Sequence, residues 1–483
     1  MKRASARSVA LGLLLLVLGV FAVRDFARLG EALPWRAMDD FPDFYCAGWV
    51  LDRGANPYTY EPLRTCEHRV NAGASFRGRL FAANPSLAIP APQPPYDFPP
   101  YMLLARLPFT AARAVQAVAI VAAVAGAALA LTALGIPFGV AAATLLLSTL
   151  YASLRTGQIV PFALLALVAC GLALARRRDA WGGLFAALTA IEPTLGLPVA
   201  VATLALVPRA RPTLLGALVL LAGVAVAVSG PHGTIAYLTR IIPAHASSET
   251  HFPFQYSFTY AAAWLGASDD VARIAGALSY LGLLGAGLWL GSATANRLKR
   301  RELLVFLPAL CAVAGGSFVH QEELCLALPA LAILSIQTRG WPRTISIAAL
   351  CVVAVPWLAV WGTKQLLAAS LFVCALTLWR MRVEMRTAVP IFVAIGAVLY
   401  GFELHPPQLP VPSGASLPII APGDLVQQAW QAYTAARSTP DLAWFAIKVP
   451  VWAALLAAIV AAAAASQPSA AGGVTPASIS RRI

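Results

Sequence analysis

Residues 176–211 read RRRDAWGGLFAALTAIEPTLGLPVAVATLALVPRAR. An apolar run lies between Arg178 and the pair Arg209 and Arg211, and Glu192-Pro193 interrupts it near the middle. Basic residues collect at the cytoplasmic ends of membrane spans, so both ends of this run are expected on the cytoplasmic side. At about 30 residues it is too short for two full spans of about 20 each. Two short helices are therefore expected, meeting at Glu192-Pro193 near the outer face. Irregular backbone at that depth is tolerated only where protein or water covers it, so the break should line a cavity.

Composition extends this reading to the whole chain. Of 483 residues, 59% are hydrophobic and only 12% charged, and the mean hydropathy is +0.73. A soluble domain carries about twice that charged fraction. An all-α, polytopic integral membrane protein with about 12–14 membrane helices, including the one broken pair, follows from this. The net charge of +14 would suit a nucleic-acid binder, but most arginines sit in short clusters between apolar runs, where they set topology. No nucleic-acid partner is expected; membrane lipids are.

Lys2, Arg3 and Arg7 precede the apolar run Val9 to Val23, and Arg24-Asp25 ends it without a small-x-small cleavage site. Residues 1–24 are thus expected to be an uncleaved signal anchor with a cytoplasmic N-terminus. Residues 25–112 form a long external loop, with a short surface helix from about Phe44 to Arg53. Further spans are expected at about 114–134, 137–155, 158–175, 212–229, 274–294, 303–318, 322–338, 343–361, 365–380, 387–402 and 445–466. If every basic cluster is cytoplasmic, the spans alternate and the loops 24–112, 230–273 and 403–444 share the external side. A core over 113–340, C-terminal helices over 341–466 and a disordered cytoplasmic tail over 467–483 complete the division.

Seven cysteines are present. Five fall in apolar runs and read as small buried hydrophobes. Cys46 and Cys66 lie in the first loop, where an oxidising compartment makes a disulfide between them plausible. No CxxC metal spacing, P-loop or nucleotide-sugar motif is present, so neither metal nor cofactor is expected.

Met38-Asp-Asp-Phe-Pro-Asp-Phe-Tyr-Cys-Ala-Gly48 places Asp39, Asp40 and Asp43 within five positions, in a chain with only 21 acidic residues. Such a cluster beside a membrane suits general-base chemistry; the simpler alternative is that Asp40 or Asp43 caps a helix. Other outer-side polar residues gather at Arg155-Thr-Gly-Gln158, at Glu192, between His245 and Tyr260, and at His320-Gln-Glu-Glu323. Ionisable groups at span ends are functional candidates, although solvation explains most single cases.

These segments resemble glycosyltransferase family 87, whose members are polyprenyl-phosphate-mannose-dependent enzymes of the multi-span GT-C superfamily. The similar segments are Asp43-Phe-Tyr-Cys-Ala-Gly48 continuing to Gly54-Ala-Asn-Pro-Tyr58, then Tyr96-Asp-Phe-Pro-Pro100 with Leu107-Pro108, and Gly157-Gln158. Gly182-Gly183 through Pro193, and His320 followed by Pro329, complete the set, over roughly residues 35–340. The family usually has lysine where this chain has Glu192, and its N-Q-S segment appears only as Gln255-Tyr-Ser257.

The resemblance implies a GT-C fold and an inverting sugar transfer, with mannose the expected sugar, from a polyprenyl-phosphate donor to a lipid-linked or glycan acceptor at the outer face of the plasma membrane. Asp43 would be the base, with Asp40 second. Since Glu192 cannot steady a phosphate, Arg155 and His320, then Arg240 and His251, are the expected phosphate partners. Tyr45, Tyr58, Tyr96, Gln158, Glu192 and Gln255 are the implied substrate contacts. A lipid or solute transporter, for which a broken helix pair would also be expected, is the rival from another class; a family member that has lost catalysis is the other.

Overall fold

The computed structural model describes residues 6–30, 33–72, 76–362, 365–405, 420–428 and 442–467. It is 79% helical, and no strand occurs among the described residues. Among the described residues, seven helices are long and apolar enough to cross a membrane: Phe109–Ala133, Phe138–Thr156, Pro208–Glu249, Asp269–Leu298, Gly340–Ala359, Met385–Leu404 and Leu442–Ser466. Five shorter apolar helices lie among them, at Val160–Ala175, Asp179–Ile191, Gly196–Leu206, Leu303–Gly315 and Leu366–Arg380. The first helix, Ala6–Ala27, precedes them all and packs on Leu366–Arg380. The chain is a multi-pass, all-α membrane protein.

Leu303–Gly315 is the centre of the bundle. Nearly every side chain on it is buried, including Val305, Phe306, Leu307, Leu310 and Val313. A helix apolar on all sides must be surrounded by other helices, and this one is packed by Asp269–Leu298, Val160–Ala175, Pro193–Leu206 and Val449–Ser466. By contrast Pro208–Glu249 leaves Leu215, Val219, Leu220 and Val226 exposed, as a face turned to lipid would.

The broken pair forms as expected. Asp179–Leu188 ends in a 3-10 turn over Thr189–Ile191, Glu192 leaves helical geometry (φ −121°, ψ 89°), and Pro193 starts the next helix. Proline suits a first helical turn, having no amide hydrogen to leave unpaired. Two carbonyls at the break are satisfied from other elements: Tyr96 donates to Ala190 O at 2.7 Å and Tyr280 to Thr194 O at 2.6 Å. That is the protein cover which irregular backbone at membrane depth requires.

One boundary differs from expectation. The helix expected to stop near residue 229 continues to Glu249. Pro231 kinks it, with Gly230 outside helical geometry, and Tyr237–Ile241 runs with π spacing. Proline bends a helix when its neighbours still hold both halves, so the expected loop 230–273 is largely helical.

The first loop is likewise a folded layer, with helices Phe41–Leu51, Tyr60–Val70, Phe76–Ala83 and Pro99–Leu104. Met38, Phe41, Phe44, Tyr58, Leu63, Phe98 and Tyr101 form its own apolar core, against Ile159 and Ile241 from the bundle. Each large side chain buried there contributes roughly 1.5–3 kcal/mol. Cys46 and Cys66 are joined in a disulfide with Cα atoms 5.6 Å apart, linking the first two of these helices. The three long inter-span segments meet: Val426 N donates to Tyr58 O at 2.9 Å, and the Tyr58 and Tyr237 rings stack at 5.9 Å. The tail after Gln467, and most of the 403–444 loop, lie outside the described residues.

Candidate active site

The acidic cluster is docked on the turn that ends the second long span. Asp39 N donates to Arg155 O at 2.9 Å and Asp40 N to Thr156 O at 2.7 Å. Gly157 makes this approach possible. Its φ is +83°, and a Cβ there would sit 2.7 Å from Phe41 Cβ, closer than two carbons can pack. Beside it, Gln158 Nε2 donates to Asp40 Oδ2 at 2.7 Å. Gly48 serves a similar end at the other end of the helix Phe41–Leu51, where a Cβ would strike the Tyr101 backbone at 2.3 Å. The spacing from Asp43 to Gly48 is thus that of a short helix pressed against Pro99–Leu104.

Neither acid works as a helix cap. Asp40 occupies the N-cap position of Phe41–Leu51, and no side-chain capping bond is made. Asp43, 4% exposed, is instead paired with the guanidinium of Arg77, which also donates to Asp39 O and lies 4.0 Å from Asp40 Oδ1. Glu67 is fully buried beside this pair, one oxygen accepting from Ile89 N at 2.9 Å. Burial, only partly offset by Arg77, pushes the Asp43 carboxyl up to about 7. Burial, together with the charge of Asp43, drives Glu67 well above the usual carboxylate range. The pair has room for one negative charge rather than two, as expected of two carboxyls sharing a buried site.

A second polar cluster faces the first. Glu249 Oε2 accepts from Gln255 Nε2 at 2.7 Å and pairs with His320 Nε2 at 3.2 Å. Gln255 Oε1 in turn accepts from Val319 N at 2.8 Å, which fixes the orientation of the amide. Glu323 lies on the other side of the ring, 3.7 Å from Nδ1. The charge of His320 reaches Asp40, lowering a carboxyl that burial raises. Glu192 lies within electrostatic reach of both His320 and Asp97.

Of the residues expected in a site, the fold therefore brings together Asp40, Asp43, Gln158, Glu192, Gln255 and His320, with Tyr96 at the helix break. Arg155 borders the cluster through Asp39, whose carboxyl burial raises and the charges of Arg77 and Arg155 only partly offset. Tyr45 and Tyr58 are packing residues whose hydroxyls donate to Leu107 O at 2.9 Å and Gln93 O at 3.0 Å. Arg240 is exposed on the extended helix. His251 pairs with Asp269 at 2.8 Å on the surface, each side chain about half exposed. Neither is brought to the acidic cluster. Sequence reading missed Arg77, Glu67, Glu249 and Asp97. For Arg77 the available signal was its place as a cation in the same loop as an acidic cluster that needed one; Glu67 stood beside Cys66.

No curated protein and no solved structure matches the chain. The family model for glycosyltransferase family 87 matches residues 94–319, a stretch holding Gln158, Glu192, Glu249 and Gln255 but beginning after Asp40 and Asp43. Over that stretch, a little under half of the 483 residues, the chain is similar to glycosyltransferase family 87, and the match supports a membrane glycosyltransferase.

Proposed function

We propose that the protein transfers a sugar, with mannose the expected one, from a polyprenyl-phosphate donor to an acceptor hydroxyl with inversion at the anomeric carbon. Asp43 takes the proton of the attacking hydroxyl while the lipid phosphate departs. The observation that carries this is the buried Asp43, held by Arg77 and raised to about 7, where a carboxylate is matched to base work at neutral pH. His320, able to carry positive charge between Glu249 and Glu323, and Arg155 are the groups that steady the leaving phosphate. Asp40 supports a second assignment of the base. Its side chain is 35% exposed against 6% for Asp43, and it lies within reach of the charge of His320. Sugar transfer from labelled polyprenyl-phosphate-mannose, in membranes carrying Asp43→Asn or Asp40→Asn, decides between them.

The reaction is placed at the outer face of the plasma membrane, with both termini cytoplasmic. Clustered arginines at Arg176–Arg178, Arg297–Arg301 and Arg380–Arg386 support this, since they belong on the cytoplasmic side. Ser247→Cys should react with an impermeant thiol reagent in intact cells and Lys299→Cys should not. The five unpaired cysteines are buried and give little background. The reverse pattern would overturn the orientation.

A further inference from the structure

The proline-rich part of the first layer holds two buried polar side-chain atoms without a partner among the described residues. Asp97 and Gln93 are each 8% exposed, and Asp97 Oδ2 and Gln93 Oε1 have no hydrogen-bond partner among the described residues. An unpaired buried polar atom is costly, so two of them in one short segment call for an explanation. Three hydroxyls close by are committed elsewhere. Tyr58 donates to Gln93 O at 3.0 Å, Tyr237 to Pro92 O at 3.3 Å and Tyr96 to Ala190 O at 2.7 Å. All three bonds hold the backbone and leave the two side chains facing a partner the chain does not supply.

The chemistry of that partner is constrained from both directions. Burial, reinforced by the charge of Glu192, pushes the Asp97 carboxyl well above its usual range, so it presents an O–H donor as well as an acceptor, while Gln93 Oε1 accepts only. Hydroxyl groups, which both donate and accept, match the two; a phosphate would bring a further negative charge beside Glu192. The partner is therefore neutral and hydroxylated. The segment is also coupled to the acidic cluster, because the helix Pro99–Leu104 starts two residues after Asp97 and its Tyr101 ring lies 5.4 Å from Phe44, next to Asp43.

Resting on the transfer reaction proposed above, we infer that Asp97 and Gln93, with Glu192 near Asp97, form the subsite for the acceptor's sugar ring, whose hydroxyls hydrogen-bond to these two side chains. The donor phosphate lies on the other side of Glu192, toward His320. Sugar recognition and phosphate recognition are divided between the first layer and the second cluster.

Saturation-transfer NMR on the full chain in lipid nanodiscs tests this, with a panel of methyl pyranosides and furanosides as probes. At least one glycoside should bind the parent protein, and its affinity should fall at least tenfold in both Asp97→Ala and Gln93→Ala. Asp97→Asn, which keeps the side-chain shape, should weaken binding less and covers the case in which Asp97→Ala does not fold. Inorganic phosphate should not displace the glycoside. Asp43→Asn should bind it as the parent does while losing transfer, so failure of the base assignment and failure of the subsite give different results. The subsite is refuted if no glycoside binds, if the Asp97 and Gln93 variants bind unchanged, or if phosphate competes.

Discussion

Gln158 Nε2 donates to Asp40 Oδ2 across 2.7 Å, joining positions 118 apart in sequence. This bond ties the acidic stretch of the first layer to the start of a membrane helix, Val160–Ala175. A hydrogen bond to a charged group is worth roughly 1.5–3 kcal/mol, so its loss should cost about ten- to a hundredfold where Asp40 must be held. Gln158→Ala is expected to reduce sugar transfer by about that factor without unfolding the bundle. Normal transfer in that variant would show the bond to be incidental.

Asp43→Asn keeps the shape of the side chain and can still accept from Arg77, so the first layer should remain folded. Transfer should fall by about a hundredfold or more, because an amide does not take a proton at neutral pH. Full activity in Asp43→Asn with loss in Asp40→Asn moves the base by three residues. Full activity in both removes the cluster from the mechanism.

The pH dependence follows from the same carboxyl. Asp43 titrates at about 7 in the fold, against an ordinary value of 3.8. The base form appears as pH rises through about 7, so transfer should climb over that window. Stability should move the other way. A carboxyl whose folded pKa is raised stabilises the fold below the unfolded value, and the contribution is lost as pH rises through the folded one. Thermal unfolding between about pH 4 and 7 should show stability falling with pH, less steeply in Asp43→Asn. A wild-type rate profile flat between pH 6 and 8 would contradict the assignment of Asp43.

Cys46 and Cys66 close a loop 20 residues apart in sequence and join the helix that carries Asp43 to the helix that carries Glu67. Cross-links over such a loop contribute about 3 kcal/mol. Cys46→Ser should therefore expose the first layer to proteolysis and lower transfer, and reductant should do the same to the parent protein. Identical digestion patterns with and without reductant would mean that packing alone holds the layer.

What could be read in advance had a local physical signature. Glu192-Pro193 inside too short an apolar run leaves little but a broken pair. Gly157-Gln158 marks a turn that only glycine can make at such close quarters, and Asp39, Asp40 and Asp43 stand out against an apolar chain. Arg77, Glu67 and Asp97 carry no such mark. Each is a single charged residue in a polar segment, and its burial depends on how helices far apart in sequence stack. Arg240 and His251 were drawn in by their expected place in an outer loop. The helix that runs on past Pro231 leaves Arg240 exposed on its flank and His251 paired at the surface beyond its end.

The pairing of Arg77 with Asp43 offers the sharpest test of how the base is held. Arg77 is 8% exposed and Glu67 is fully buried, so removing the cation leaves buried carboxyls uncompensated, which typically costs about 3–5 kcal/mol. Arg77→Ala should therefore destabilise the first layer as well as abolish transfer, which alone does not separate structure from chemistry. Glu67→Gln does separate them. With its carboxyl raised well above the usual range, Glu67 serves as a neutral donor toward Asp43, and glutamine can donate in its place. Folding should survive and transfer should fall by less than about tenfold, the loss of one ordinary hydrogen bond at most. Glutamine keeps the donor and adds no charge, so the rising limb of the pH profile should stay in place. Glu67→Ala removes a hydrogen bond that lowers the Asp43 carboxyl, so it should lower transfer further at the same protein level and move the rising limb to higher pH. If Glu67→Ala folds and leaves the pH limb in place, Glu67 supports the packing of the layer and does not tune the base.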